Sequence, residues 1–480
     1  MSVLEAVRSR SATSAAPVIV TAIALIIAVM LAAALNWAVG GEGVMTLGMI
    51  VLVALSPVFI RWPVVSTFGV YALLLPFDAL GVEGMSLTRP VAMLAAAMIL
   101  ASGLVQRRLI RPPRAALWWG IFVLWAVLSA TWALHPDATW RRVPTAISLF
   151  VLYVASVSFK PTRRELHSVC MLAVIGGAIA AVFAYMYGFD DSVARGAATA
   201  AARGKLVVGD QASNPNGLAE ALMMPLTLAI GAFLGSRGIL QRATAMAFLL
   251  MIGLGVYISM SRSGIVALAA VVGVFFYRFR ANRQVVIQIL MVVAVLVALT
   301  ATMPSQFYDR IAIVFSGEDP TGSGRTEIWQ VAIEAIKRFG LFGAGLENFV
   351  DVHQLYVPHG PRGYGYGAHN SYLMVWVELG IVGLVLMLSA MYCHLRATAK
   401  LKRRDRTIVT LEAASMAVVV VALFGDIIWT KLFWWPWILT TWAIQSVDAA
   451  TDETERLSVP THKPTRITVR RERLNRVSEG

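Results

Sequence analysis

Charge is scarce in this chain of 480 residues: Asp, Glu, Lys and Arg make up only 14% of it, against about a quarter of an average soluble domain. Apolar residues fill 58% and the mean hydropathy is +0.70, which excludes a water-soluble domain and leaves a bilayer as the only solvent for that much apolar surface. Cysteine is scarcer still. Two are present, Cys170 and Cys393, both in or beside apolar runs, so neither a disulfide framework nor a thiolate metal site is available. Also missing are a P-loop and an HxxxH element. His353, His359 and His369 fall 6 and 10 residues apart without supporting carboxylates, so no metal and no cofactor are expected. No signal-peptide cleavage pattern stands near the start, and Pro17–Val39 is too long for an h-region and is read as a first span.

Long apolar runs dominate what remains. They are read as spans at 17–39, 44–60, 63–77, 90–106, 115–133, 143–159, 165–189, 214–235, 241–259, 263–279, 284–303, 370–392, 408–425 and 431–447. The third is short enough to be re-entrant. Open strands cannot cross lipid, so the predicted fold is all-α, a polytopic membrane bundle of about 12–14 transmembrane helices with one large outer loop between late helices. The domains divide accordingly: 1–16 as a cytoplasmic segment, 17–303 as the bundle, 304–369 as the loop with short helices, 370–447 as the last spans, and 448–480 as a basic, disordered tail.

A net charge of +14 by itself suits a nucleic-acid partner, but the cations lie in alternate joining segments. One set holds Arg107, Arg108, Arg163, Arg164, Arg278, Arg280, Lys402 and Arg403, and the tail continues it. By the positive-inside rule that set is cytoplasmic, which puts both termini inside and the 304–369 segment outside. Nucleic acid is not an expected partner. Membrane lipids are, with the basic tail at the headgroups.

Within the outer loop, SGRTEIWQVAIEAIKRFG contains a short amphipathic helix: Ile328, Trp329, Ala332, Ile333, Ile336 and Phe339 recur at helical spacing, and Gly340 ends it. Packing accounts for its apolar face but not for Arg325 ahead of it. Outer-face cations run against the topology bias. Arg262 in SMSRSGIV, Arg325 in GSGRTEIW, and Arg203 with Lys205 in AARGKLVVGDQASNPNGLAE all break it. A single arginine can snorkel to lipid phosphate or pair with Glu327 or Asp210. Forked guanidinium donors beside helix N-termini also suit a phosphorylated headgroup, and Arg262 with Arg325 and His369 favours that reading.

The stretch GYGYGAHNSYLMVWVELG begins at Gly363 and places His369 just ahead of Asn370 and Ser371, both good N-caps. An uncharged imidazole at a helix N-terminus can accept a proton from a hydroxyl. His353 and His359 are read as structural. Arg362, Tyr364 and Tyr366 in HGPRGYGYGAHN, with Asn370, are candidates for holding sugar, since tyrosine offers a flat apolar face and a hydroxyl. WTKLFWWPW reads as an aromatic belt at the outer interface, and Asp190–Asp191 as a solvated pair. Glu220, Glu378 and Asp426 lie near helix ends, where an ionisable group can line a polar cleft.

SRSG after one span, GRTEIW with GLFGAGLENF in the outer loop, and HNSYLMVWVELGIVGL opening the next span together resemble the O-antigen ligase and polymerase superfamily, including exopolysaccharide polymerases of the ExoQ type. NPNGLAE, with Asn216, is similar to a further element of that superfamily, and LLLPFD agrees as well. The resemblance covers about 203–390. It implies a metal-independent, inverting glycosyltransferase of the bacterial inner membrane with its site on the periplasmic face. The donor would be an oligosaccharide on undecaprenyl diphosphate, moved en bloc to a hydroxyl of an acceptor glycan or of lipid A–core, with a chain-length regulator as a possible partner. Arg325 and Arg262 match the family arginines that hold the diphosphate, and His369 the histidine that deprotonates the acceptor. A polymerase is favoured over a ligase. A glycolipid transporter or flippase is the alternative of another class, against which stands the absence of a clear internal repeat.

Overall fold

The computed structural model describes residues 62–79, 88–188, 204–208, 211–301, 308, 325–356, 366–399 and 405–458. The expected spans at 17–39 and 44–60, the Asp190–Asp191 pair, His359 and the tail beyond 458 lie outside them. Among the described residues the protein is an all-α bundle. Its β features are a pair of two-residue strands, β1 (Val207–Val208) and β2 (Gln211–Ala212), paired antiparallel with Val207 opposite Ala212, and an isolated bridge between Leu109 and Phe159.

The first helical segment, α1, runs through a π turn at Val65–Gly69, an α turn at Val70–Leu74 and a 3-10 turn at Leu75–Ala79. Next in the chain are α2 (Thr88–Val105), α3 (Arg114–Leu128), α4 (Pro136–Val157), α5 (Arg163–Tyr187), α6 (Pro215–Gly235), α7 (Ile239–Ile258), α8 (Arg262–Phe279) and α9 (Arg283–Thr300). Then come α10 (Arg325–Phe339), α11 (Phe349–Tyr356), α12 (Ser371–Ala399), α13 (Arg406–Val421) and α14 (Lys431–Ser458). Eight described helices are long and apolar enough to cross a membrane: α2, α3 extended to Thr131, α5, α6, α7, α8, α9 and α12. This is a multi-pass membrane protein. The last helix continues to Ser458, past the Val447 at which its hydropathy ends.

Polar side chains at the chain ends of these helices set their starts. Thr162 and Glu165 form a reciprocal capping box on α5. Asn214 caps α6, with Pro215 as its first residue, Ser261 caps α8, Asn282 caps α9 and Asp405 caps α13. Small residues let the central helices approach: α6 is surrounded by α5, α7, α8 and α13, and nearly all of its residues are buried.

The core also corrects one expectation. Trp434, Trp435, Trp437 and Trp442 are at most 1% exposed, so they form no interfacial belt. Helix α14 packs against α4, α5, α12 and α13, which turns its indoles inward. There Trp435 meets Phe68 and Tyr71, and Trp434 meets Trp119 and Tyr153. An aromatic-rich helix end can serve a headgroup region or a core, and the neighbours of α14 decide for the core.

Both ends of the bundle carry ion pairs, among them Lys431 with Asp78 at 2.8 Å and Arg142 with Glu347 at 3.1 Å at the end of the 304–369 segment. At the other end Arg108 pairs with Glu165, Arg163 with Asp405 at 2.7 Å, and Arg278 through a two-pronged contact of 2.7 and 2.9 Å with Glu412. Arg406 there donates to the terminal carbonyl region of α6 at Leu234, 2.6 Å away. These are the loops with the dense Lys and Arg. The opposite end gathers the loops that carry Arg262, Arg325 and His369.

Candidate functional site

His369 occupies a short, heavily braced loop. Asn370 caps α12, its side-chain oxygen accepting from the N–H of Tyr372 at 3.0 Å and of Leu373 at 3.1 Å. With those donors satisfied, the chain must turn sharply ahead of the helix, and His369 does so in the left-handed region at φ +47°. Such a conformation costs a non-glycine residue about 1–2 kcal/mol and persists where surrounding contacts impose it. The contact is Asp426. Its two carboxylate oxygens accept from the backbone N–H of His369 at 3.0 Å and of Asn370 at 3.1 Å.

Asp426 reaches that loop because Gly367 has no side chain: a Cβ there would stand 2.5 Å from the Asp426 carboxylate. Ser371 closes the arrangement, donating its hydroxyl to the Gly425 carbonyl at 2.7 Å and accepting from the Ile427 N–H at 2.9 Å. The loop before α12 and the loop between α13 and α14 thus form one unit.

Arg325 begins α10, whose buried face is Ile328, Ala332 and Ala335. The next indole on that helix, Trp329, donates to the carbonyl of Ala368 at 3.1 Å, fastening α10 one residue from His369. Glu220, in the second turn of α6, interacts electrostatically with both Arg325 and Asp426. Its carboxylate lies against Gly425, where a Cβ would be 2.7 Å from Oε1. The guanidinium of Arg325, the carboxylates of Glu220 and Asp426, and the His369 loop therefore share one rim. Arg262 opens α8 at the same end. The turn before it passes through Met260 in the left-handed region at φ +46°, Ser261 caps the helix, and Gly264 packs on Ala219, the neighbour of Glu220.

The platform beneath is a broken helix. Within α12, Gly380 adopts φ +69° and ψ −175°, which interrupts the helical hydrogen bonds. The segment after α10 fills the gap. Ala344 N–H donates to the Val377 carbonyl at 2.9 Å and Gly345 N–H to that of Glu378 at 2.8 Å, while Ile381 N–H donates to the Gly340 carbonyl at 2.8 Å. The indole of Trp125 satisfies Leu379 at 2.8 Å, and that of Trp376 donates to Gly340 at 3.2 Å. Each of the freed carbonyls at 377–379 finds a donor, as a non-helical backbone at membrane depth requires. Glu378, 2% exposed, accepts from the Phe349 N–H at 3.2 Å and so holds the start of α11.

The other expected residues lie around this rim in different ways. Lys205 sits on the segment leading to β1, its N–H on the Gly188 carbonyl at 3.4 Å, and Asn216 lies in the first turn of α6. Tyr366 is half-buried, its ring edge-on to His353 at 5.7 Å. His353 is itself buried, and burial lowers its pKa from the usual imidazole value. Arg203, Arg362 and Tyr364 fall outside the described residues. Glu220 and Asp426 are the members that sequence placed only near helix ends. The glycines at 425 and 367, each beside one of the two carboxylates, were the signal.

Residues 246–388 match the family described as O-Antigen ligase, a stretch that contains Arg262, Arg325 and His369. Over that stretch this chain is similar to the O-antigen ligase family. Among curated relatives, it is 36% identical over 78 residues to the exopolysaccharide production protein ExoQ of Rhizobium meliloti (strain 1021). That similarity covers 15% of this chain and 18% of the relative's length. Glu220 and Asp426 lie outside the matched family segment, so the O-antigen ligase domain reaches its complete rim only through helices on either side of it.

Proposed function

We propose that the protein is a membrane glycosyltransferase that moves a glycan en bloc from undecaprenyl diphosphate to an acceptor sugar hydroxyl, at the periplasmic face of the bacterial inner membrane, in exopolysaccharide or O-antigen polymerisation. One observation carries the reading: Trp329 and Asp426 hold the Arg325 helix and the His369 loop together at a single rim. Arg325 and Arg262 would bind the diphosphate, with N–H groups at the starts of α8 and α10 adding donors. His369 would take the proton from the acceptor hydroxyl as its oxygen attacks the anomeric carbon. The bond from that carbon to the diphosphate breaks, its electron pair staying on the phosphate oxygen. Arginines poised for that charge lower the barrier without reorganisation at the moment of reaction. Attack from the face opposite the leaving group inverts the anomeric centre. The diphosphate linkage is already activated, so the reading requires neither nucleotide sugar nor metal.

Polymerisation is favoured over ligation to lipid A–core by the similarity to a protein named for exopolysaccharide production. The test is reconstitution. Purified protein in liposomes, given an undecaprenyl-diphosphate oligosaccharide and acceptor without any ion gradient and in EDTA, should form longer glycan. Arg325→Ala and His369→Ala should insert normally and form none. Full product from both variants refutes the assignment. Movement of donor across the bilayer with no new glycosidic bond would instead establish a transporter.

A further inference from the structure

We propose that the first turns of α2 and α4 form a binding site for an anionic phospholipid, with Arg89 and Arg141 on its phosphate. Both helices begin at the end of the bundle that carries the His369 loop. Leu134, just ahead of α4, donates its N–H to the Ala344 carbonyl at 2.7 Å, and Thr139 donates to the Leu346 carbonyl at 2.8 Å. Cations at that end run against the charge bias, and the transfer chemistry uses neither Arg89 nor Arg141. Their side chains are joined through one contact: Arg89 donates to the Thr145 hydroxyl of α4 at 3.2 Å. Thr145 follows Arg141 by one helical turn on the same face, a spacing that brings Cβ atoms within about 5–6 Å.

Neighbouring cations are neutralised and these two are not. Arg142 faces Glu347 at 3.1 Å, and Lys431 faces Asp78 at 2.8 Å. Among the described residues no carboxylate pairs with Arg89 or Arg141, and Asp137, one turn ahead of Arg141, forms no ion pair with it. Both guanidinium groups are exposed. Beneath them the packed helices turn apolar side chains outward. On α2, Met93, Leu100 and Leu104 continue the stripe that Arg89 begins, and α4 exposes Ile147 and Val151 below an exposed Trp140. Two apolar stripes side by side under one anion site suit a lipid with two acyl chains. A single polyprenyl chain would fill only one of them. A lone snorkelling arginine takes any phosphate within reach, whereas a guanidinium fixed on Thr145 beside a second one presents a preorganised fork.

Native mass spectrometry of the full chain in detergent, titrated with dioleoyl phosphatidylglycerol, tests the site. Phosphatidylglycerol should bind more tightly than dioleoyl phosphatidylcholine. Arg89→Ala and Arg141→Ala should each weaken its tightest binding about fivefold, the scale of one basic residue at an anionic lipid surface. Arg164→Ala, which removes an exposed arginine from the opposite end, should leave that binding unchanged. Equal losses in all three variants would show attraction spread over the surface and overturn the site. Equal affinity for the two phospholipids overturns the anionic preference. Farnesyl diphosphate that displaces phosphatidylglycerol and responds more strongly to the same two substitutions would assign the arginines to a polyprenyl carrier and overturn the phospholipid. Should the Ala variants fail to insert, Arg89→Gln and Arg141→Gln remove the charge at nearly the same length, and unchanged affinity in both overturns the proposal equally.

Discussion

Trp329 reaches across the rim to the carbonyl of Ala368, 3.1 Å away, and so ties the first turn behind Arg325 to the residue ahead of His369. The two are 39 positions apart in sequence. A hydrogen bond of this kind contributes about 0.5–1.5 kcal/mol net. Trp329→Phe keeps an aromatic ring and removes the donor. Its transfer rate should fall about three- to tenfold if the lost energy appears in the transition state. Steady-state kinetics on lipid-linked donor would check it. A rise in the Michaelis constant alone would place the bond in donor binding instead.

Asp426 is the brace of the histidine loop, and its two oxygens do separate tasks. Asp426→Ala leaves the N–H groups of His369 and Asn370 without their acceptor, at about 1–3 kcal/mol for each buried donor. A His369 released from φ +47° leaves its position at the rim. Polymer synthesis in membrane vesicles should drop at least about a hundredfold, while the amount of inserted protein stays near wild type. Asp426→Asn retains one acceptor oxygen and should fall between the two. Equal activity in all three proteins would show that the loop holds itself.

The parts of the fold set by local pattern were legible in the sequence, and the parts set by distant partners were not. Apolar runs placed α2, α3 and α5 to α9 to within a few residues, because a bilayer demands continuous apolar length, whereas α4 begins seven residues before its expected span and α12 ends seven after. Asn370 was readable as a cap because capping is decided within three residues. Nothing in VELGIVGL marks a break at Gly380, since an isolated glycine in an apolar helix costs only about 1 kcal/mol and is common. The break exists because residues 340–345 supply the missing hydrogen bonds from outside. The indoles of α14 misled for the same reason: composition gives tryptophan near a helix end, and only packing says which way it faces. Arg262 and Arg325 were visible as exceptions to charge bias, and His369 by its place ahead of the N-cap residues Asn370 and Ser371. Glu220 and Asp426 were carboxylates near helix ends whose partners, Gly425 for one and the N–H groups of His369 and Asn370 for the other, come from distant segments.

His353 links pH to the loop it supports. Burial lowers its pKa, so the folded protein holds the imidazole neutral at pH values where the unfolded chain would protonate it. Between the folded and unfolded values the unfolded state binds more protons, so stability rises with pH through that window. The contribution is complete above about pH 6.5, the ordinary imidazole value, and is lost as pH falls through the depressed folded value. Thermal unfolding of the purified protein at pH 7.5 and 5.5 should show a loss on acidification that shrinks in His353→Gln. An acid loss of the same size in both would assign it to other groups.

Gly380 and Gly273 make a paired test of the broken helix, because both sit in long apolar helices and only one lies at a close contact. A Cβ at Gly380 would collide with the Leu341 carbonyl, and its φ of +69° is strained for any L side chain. A Cβ at Gly273 meets nothing within 4 Å. Gly380→Ala should therefore expel residues 340–345 from the gap, free the carbonyls of Val377 and Glu378, and lower the unfolding temperature by several degrees or prevent insertion. Gly273→Ala should be neutral or stabilise by about 0.5–1 kcal/mol, through helix propensity alone. The comparison also bears on the chemistry, since the segment leaving the gap begins where the Arg325 helix ends. If Gly380→Ala inserts and remains stable but polymerises poorly, the break serves to align Arg325 with His369. Equal stability and full activity in both variants would mean that α12 tolerates a continuous helix and that the gap has no part in positioning the rim.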